Sequence, residues 1–331
     1  MGAKILLLFE YGTLNGGEFS LLSMLQWLGK KPFEFVAAVP SEGMLRVRLN
    51  EMDIPTLPLM LRDAQGQKLP LAPIWVHLHD LVNQTGPDLV HANSLSMGRM
   101  LGRVASRLPM PSTTHLRDIM KLNRSTIADL SQHAGLIAVS HATRQFHVAQ
   151  GMQSDKVQVI HNGVDTDLFR PGTGTGALKS SLGLCDNDLL VTNIGQICLR
   201  KGQMLLAQAA VSLAQTWPQM HYAFVGERYS QKQESIDYEK SIRRLFQEAG
   251  IEDRLHRLGF RSDIPQILNE TDLLVHTAHQ EPLGRVLLEA ASCATPIVVT
   301  DVGGTAEILT DRTSALLIPP DDLEALCAAI K

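Results

Sequence analysis

The chain has 331 residues, 44% of them hydrophobic and 19% charged, with a formal net charge of −4. That length exceeds what a single core serves, roughly 250–300 residues, so two domains are expected. The balance is that of an ordinary soluble globular protein: it excludes a globally basic nucleic-acid binder, and no apolar run approaches the ~18 residues of a membrane-spanning helix.

Charge is divided unevenly along the chain. Residues 1–170 carry 16 Lys+Arg against 14 Asp+Glu and the remainder 14 against 20, which gives +2 and −6. Cys185, Cys198, Cys293 and Cys327 form no CxxC pair; with no leader peptide they read as reduced thiols of a cytoplasmic protein. Leu6 stands where N-myristoylation wants Ser or Thr, which argues against that modification; with no spanning run, any membrane contact is expected to be peripheral.

"AKILLLFE" (3–10) is an apolar run ending at the glycine-bearing "YGTLNGGEFSLL", the pattern of a buried parallel strand turning into a helix. Further strands are read at "FEFVAAVP" (33–40), "DLVHANS" (88–94), "PSTTHLRD" (111–118), "GLIAVS" (135–140) and "VQVIHNGV" (157–164), with helical stretches such as 18–29 and 95–107 between them. "DTDLFRPGTGTGALKSSLGL" (165–184) is rich in Gly, Thr and Ser and reads as a linker. The pattern then restarts with strands at 188–196, 221–227, 254–260, 272–278, 296–304 and 314–320, and helices near 201–216 and 236–249. Strands alternating with helices imply parallel sheets covered on both faces. The expectation is two doubly wound α/β domains, 1–170 and 188–331, joined by a linker at 171–187.

Ligands of open parallel sheets bind beyond the carboxyl ends of the strands, so residues just after strands are the candidates. Gly16 and Gly17 follow the first strand and open a helix, where backbone amides can approach a phosphate; the plain alternative is a tight turn. Lys201, after the strand at 188–196, can meet a phosphate as a point charge or stand solvated. His91 and His115 also end strands, where imidazole can bond a hydroxyl or phosphate or move a proton; some of the twelve histidines must be structural. Arg99, Arg103 and Arg107 recur at spacing four, a basic stripe read as a solvated face with some reach toward anionic lipid or acceptor. "DTD" (165–167) has the form of an Asp-x-Asp metal motif, but its Asn-Gly-rich setting favours a turn.

"HQEPLGRVLLEAA" (279–291) carries Glu281 on the loop after a strand and Glu289 about one and a half turns into the next helix. The spacing suits two contacts on one extended ligand better than two carboxylates on one bond, which need about 5.5 Å in a retaining glycosidase. Glu289 lies among Leu287, Leu288, Ala290 and Ala291, so it is expected to be partly buried and to need donors, which ligand hydroxyls would supply.

In order and spacing, "GG" at 16–17, "NGVDTDLF", "KG" at 201–202, "EPLGRVLLEA" and "TPIVVTDVGGTAEIL" resemble the retaining glycosyltransferases of family four over nearly the whole chain. The resemblance implies the GT-B fold, two facing Rossmann-like domains with an interdomain cleft. It implies transfer of a sugar from a UDP-, GDP- or ADP-sugar to a glycan, lipid-linked or small-molecule acceptor hydroxyl with retained configuration. It implies no metal and no cofactor. By it, Glu281 holds hydroxyls of the transferred sugar, Glu289 the ribose, and Lys201 the diphosphate. Leu283, Gly284 and Arg285 line the sugar-diphosphate pocket with backbone amides, Gly16 and Gly17 lie beside the phosphates, and His115 sits near sugar and acceptor.

Three departures qualify it. Gln196 replaces the arginine usual after Gly195, removing a cation unless Arg200 or Arg285 reaches in. Ala294 replaces a glycine before "TP". Relatives generally continue past Lys331 into a helix crossing back to the first domain, so a chain lacking that closing helix is expected. Two alternatives follow: a relative that holds a sugar nucleotide with little turnover, or a sugar-nucleotide epimerase of the same fold.

Overall fold

The computed structural model describes residues 2–29, 32–63 and 65–331. The chain forms two compact units, Met1–Gly163 and Val164–Lys331.

The first unit is built on a parallel sheet of β1 (Ala3–Leu8), β2 (Phe33–Val39), β3 (Thr56–Pro58), β4 (Leu89–Ala92), β5 (Ser112–Leu116), β6 (Gly135–Ala138) and β7 (Val157–Val159). Their order is 3-2-1-4-5-6-7. The apolar runs of β1 and β2 are continuous because both faces are covered. Leu6, Leu8, Val36 and Ala38 point to the layer containing Ile74, Leu78, Met97 and Leu101, whereas Leu7, Phe9, Phe35, Ala37 and Val39 meet Leu21, Leu25, Leu45 and Leu49. β3 was not anticipated. It is three residues long and ends in Pro58, and a proline-bearing strand this short is tolerated at the sheet edge it occupies.

The second sheet contains β8 (Leu189–Ile194), β9 (Met220–Val225), β10 (Leu255–Gly259), β11 (Leu273–His276), β12 (Ile297–Thr300) and β13 (Leu316–Ile318), ordered 10-9-8-11-12-13. Each of these strands overlaps a stretch the apolar pattern picked out, and β9 alone begins outside it, one residue early. Here too the strands alternate between layers: Val191, Tyr222, Phe224 and Val275 pack to one side, and Leu190, Ala223, Val225 and Leu274 to the other. In both sheets the winding reverses beside the first strand, between β1 and β4 and between β8 and β11. Such a switch point leaves a crevice beyond the strand ends.

Two expectations change. The Gly/Thr/Ser-rich stretch 171–187 is not a free tether, for it contains the short helix Ala177–Ser181 packed on the second unit. Leu178 lies in that unit's core. Glu270 Oε2 accepts from the amides of Leu178 and Lys179 at 2.8 and 3.1 Å, and Oε1 from Thr175 Oγ1 at 3.1 Å. Composition hid this because the answering carboxylate stands on a distant helix, Ile264–Glu270. Nor do the three arginines form one solvated helix stripe, for the helix Leu95–Ala105 ends before Arg107. Arg99 and Arg103 both pair with Asp129, at 3.4 and 3.0 Å, and Arg107 lies 5.9 Å from the Trp75 ring centroid. No helix among the described residues is long and apolar enough to cross a membrane.

Glu270→Ala strands the amides of Leu178 and Lys179, and leaving buried donors unanswered costs about 1–3 kcal/mol. Urea denaturation of this variant is expected to show a loss in that range; an unchanged midpoint would mean that the segment is not held in this way.

Candidate functional site

In the second unit, β11 ends at His276, and the chain runs through Glu281 to Gly284, which begins the helix Arg285–Ser292. Two glycines with positive φ let neighbouring segments close on this loop. A Cβ on Gly202 (φ +60°) would lie 1.9 Å from the Thr277 carbonyl oxygen, and one on Gly303 (φ +60°) 2.0 Å from that of Glu281. The Glu281 carbonyl also accepts from the Gly304 amide at 2.9 Å, and Thr277 Oγ1 donates to the Gly202 carbonyl at 2.9 Å.

The short 3-10 turn Leu199–Lys201 is thereby brought over the loop. Lys201 Nζ lies 2.5 Å from Glu281 Oε2, and His276 Nε2 lies 2.8 Å from the same oxygen. Glu281 is 6% exposed and His276 1%. Burial alone would raise the Glu281 pKa. The Lys201 charge and the His276 hydrogen bond outweigh it and hold the carboxyl well below the usual carboxylate range. Burial and the nearby Lys201 charge push His276 down, against the pull of Glu281. The set is therefore a neutral imidazole and an ammonium on one ionised carboxylate.

Glu289, 5% exposed, accepts at Oε1 from Nε and Nη2 of Arg285, each at 2.5 Å. Burial pushes its pKa up, and Arg285 offsets this only in part. Ligand hydroxyls were expected to supply donors to Glu289; in the structure Arg285 supplies them at Oε1. Leu283 is buried, and Gly284 begins the helix without a side-chain cap, its carbonyl accepting from the Leu287 amide at 3.0 Å. Gln196 is half-buried, with its carbonyl taken by Gln203 Nε2 at 2.9 Å. Of the cations expected to compensate for it, Arg200 donates from Nη1 to the Gln280 carbonyl at 3.1 Å, and Arg285 is tied to Glu289.

In the first unit, Gly16 and Gly17 open the helix Gly16–Leu28. A Cβ on Gly17 would lie 3.0 Å from Arg117 Cδ. The Arg117 guanidinium donates to Asn93 Oδ1 at 3.0 Å, Asn162 Oδ1 at 3.1 Å and the Asn93 carbonyl at 3.3 Å. Burial lowers its pKa to about 10, which leaves it charged at neutral pH. His115 Nδ1 lies 2.9 Å from His91 Nε2, and His91 Nδ1 lies 2.8 Å from Thr113 Oγ1. Burial and the Arg117 charge lower His91 to about 3, and His115 falls well below its ordinary value for the same reasons. Both rings are neutral.

Asp165 Oδ1 accepts from the amides of Asp167 and Leu168 at 3.0 and 3.1 Å, so "DTD" forms an Asx turn. Sequence reasoning overlooked Arg117 and His276. Arg117 stands two residues beyond His115, a spacing that shares a strand face. His276 ends a strand five residues before Glu281. Both signals were present.

Residues 176–331 match the model of the family described as glycosyl transferases group 1, and residues 14–168 that of glycosyltransferase family 4. The chain is 25% identical over 272 residues to the UDP-Gal:alpha-D-GlcNAc-diphosphoundecaprenol alpha-1,3-galactosyltransferase of Escherichia coli, covering 77% of this chain and 68% of that one. It is 29% identical over 177 residues to a D-inositol 3-phosphate glycosyltransferase of Mycobacteroides abscessus, where the match spans 53% of this chain and only 38% of the relative. Among solved structures, Anabaena HepE in complex with UDP and glucose superposes with a TM-score of 0.86 at 26% identity, covering 99% of this chain and 89% of that one. The sucrose-phosphate synthase of Thermosynechococcus elongatus shares the fold, with a TM-score of 0.80 at 18% identity over 99% of this chain and 88% of that one.

The neutral histidines make stability depend on pH. Between the ordinary value of 6.5 and about 3, the unfolded chain binds a proton at His91 that the folded chain refuses. Stability is therefore full above pH 6.5 and declines as pH falls through that window, by up to about 1.4 kcal/mol per pH unit for each such group. His91→Gln is expected to flatten this slope in urea denaturation between pH 6.5 and 5; an unaltered slope would refute the assignment.

Proposed function

This chain belongs to the group 1 glycosyltransferases, with one family model matched in each half, and on that premise we propose that it moves a sugar from a nucleotide-sugar donor to an acceptor hydroxyl with retention of configuration and without a metal. The observation that carries this reading is the buried Lys201–Glu281 ion pair at the switch point of the second sheet.

In this reading Glu281 accepts hydroxyls of the transferred sugar, Glu289 meets the ribose, and Lys201 meets the diphosphate as a point charge. The start of helix Arg285–Ser292, beside Leu283 and Gly284, favours an anion through the helix dipole. In the first unit, Gly16 and Gly17 take a phosphate-contacting role, and His115, held neutral, a hydrogen-bonding role toward sugar or acceptor. The bond from the anomeric carbon to the diphosphate oxygen breaks and one to the acceptor oxygen forms on the same face. The acceptor proton passes to the leaving phosphate oxygen. The protein's task is electrostatic: it stabilises charge on the leaving group. The relative named for a UDP-Gal donor and the similar structure holding UDP and glucose support a UDP-sugar as the first donor to test. A lipid-linked acceptor would require only peripheral contact with a membrane.

Lys201→Ala and Glu281→Ala are each expected to reduce transfer from UDP-galactose or UDP-glucose to GlcNAc-diphosphoundecaprenol by roughly 10²-fold or more, with the fold retained by circular dichroism. Full activity in both variants would overturn the assignment.

A second reading, donor binding with little turnover, is favoured by Gln196, because Arg200 and Arg285 are both engaged by protein oxygens. If the missing cation limits the rate, Gln196→Arg raises kcat in the same assay. A fast wild type that gains nothing from this substitution would eliminate the second reading.

A further inference from the structure

We propose that His276 is the positioning residue of Glu281: together with Lys201 it occupies Oε2, and so turns Oε1 toward the sugar hydroxyls. The inference rests on the donor-binding reading above and adds to it the way in which the carboxylate is aimed. Lys201 Nζ and His276 Nε2 converge on Oε2 at 2.5 and 2.8 Å. No group among the described residues hydrogen-bonds Oε1.

Lysine alone would not select an oxygen. Its ammonium is a point charge on a flexible four-carbon stem and can satisfy either lobe of a carboxylate. His276 is the last residue of β11 and almost wholly buried, so its ring has one approach to Glu281. Nδ1 is sealed inside the protein and has no hydrogen-bond partner among the described residues. A proton placed there would be an unanswered buried donor close to the Lys201 charge, and a bare Nε2 would set its lone pair against the carboxylate. The ring is therefore the Nε2–H tautomer, and among the described residues its only hydrogen-bond partner is Glu281.

The histidine is also costly in packing terms. Its neighbours Leu274 and Val275 show that the strand accommodates aliphatic side chains, and one at 276 would leave no orphaned nitrogen. The structure keeps a polar ring there and uses one of its two nitrogens. Glu281 consequently meets the sugar through one oxygen of fixed direction, which makes it a reader of hydroxyl geometry as well as a charge.

The test compares the wild type with His276→Leu, which removes the donor, and His276→Gln, whose Nε2 can stand near the place of the imidazole Nε2. Calorimetric titration with UDP and with UDP-glucose gives, for each protein, the ratio of the two affinities. His276→Leu is expected to lower the UDP-glucose affinity roughly tenfold or more while leaving that for UDP within about twofold, since one hydrogen bond to a charged group is lost at the sugar end only. His276→Gln should retain most of the wild-type ratio. Equal ratios in wild type and His276→Leu would overturn the proposal. If the leucine variant does not fold, the glutamine variant decides: a retained ratio supports the proposal and a collapsed one overturns it. Nitrogen-15 spectra of the wild-type histidine rings provide a readout that needs no donor, and a His276 ring protonated on Nδ1 at neutral pH would overturn it as well. A wild type that binds neither UDP nor UDP-glucose, yet shows the Nε2–H tautomer, counts against the donor reading and leaves the aim of Glu281 standing.

Discussion

A carboxylate buried as deeply as Glu281 stays ionised only where the protein replaces the water it has lost. That requirement organises the second unit. Lys201 supplies the charge and His276 the second donor, and the two reach the same oxygen from different elements. The approach is possible only because Gly202 and Gly303 have no side chains where the 3-10 turn and the 303–304 segment meet the loop backbone. The position of β11 beside β8 at the switch point makes these elements neighbours in the first place. Gly202 and Gly303 are thus parts of one device: each lets backbone approach the loop that carries Glu281.

The first unit meets a comparable electrostatic problem with opposite sign and solves it differently. Arg117 is a half-buried cation that donates to the side-chain oxygens of Asn93 and Asn162 and to the Asn93 carbonyl. Its charge, added to burial, keeps His91 and His115 neutral. One unit therefore offers an ionised carboxylate clamped between donors, and the other a guanidinium beside a glycine-opened helix and an uncharged imidazole pair.

The strands were legible because both sheets are covered on both faces, so each strand reads as a continuous apolar run. β3 escaped because an edge strand of three residues carries no such run. The segment 171–187 was misread because its order depends on Glu270, far along the chain, and nothing local announces that partner. For the glutamates, the sequence placed Glu281 on a strand-end loop and Glu289 partly within packing, and both placements hold. The donors did not follow from local pattern: Arg285 is four residues from Glu289 and could be inferred, whereas Lys201 reaches Glu281 across 80 positions.

The sequence by itself determined the doubly wound architecture and the elements that carry the candidate residues, because periodicity and strand-end position are local properties. It also showed the family, because motif order survives without coordinates. Only the tertiary structure decided which groups share a proton or a charge. Hydrogen bonds and ion pairs act over about 3 Å, and whether Lys201, His276 and Glu281 come within that distance depends on sheet order and on glycines that permit close approach. Those causes are spread over some hundred residues, and no window along the chain contains them all.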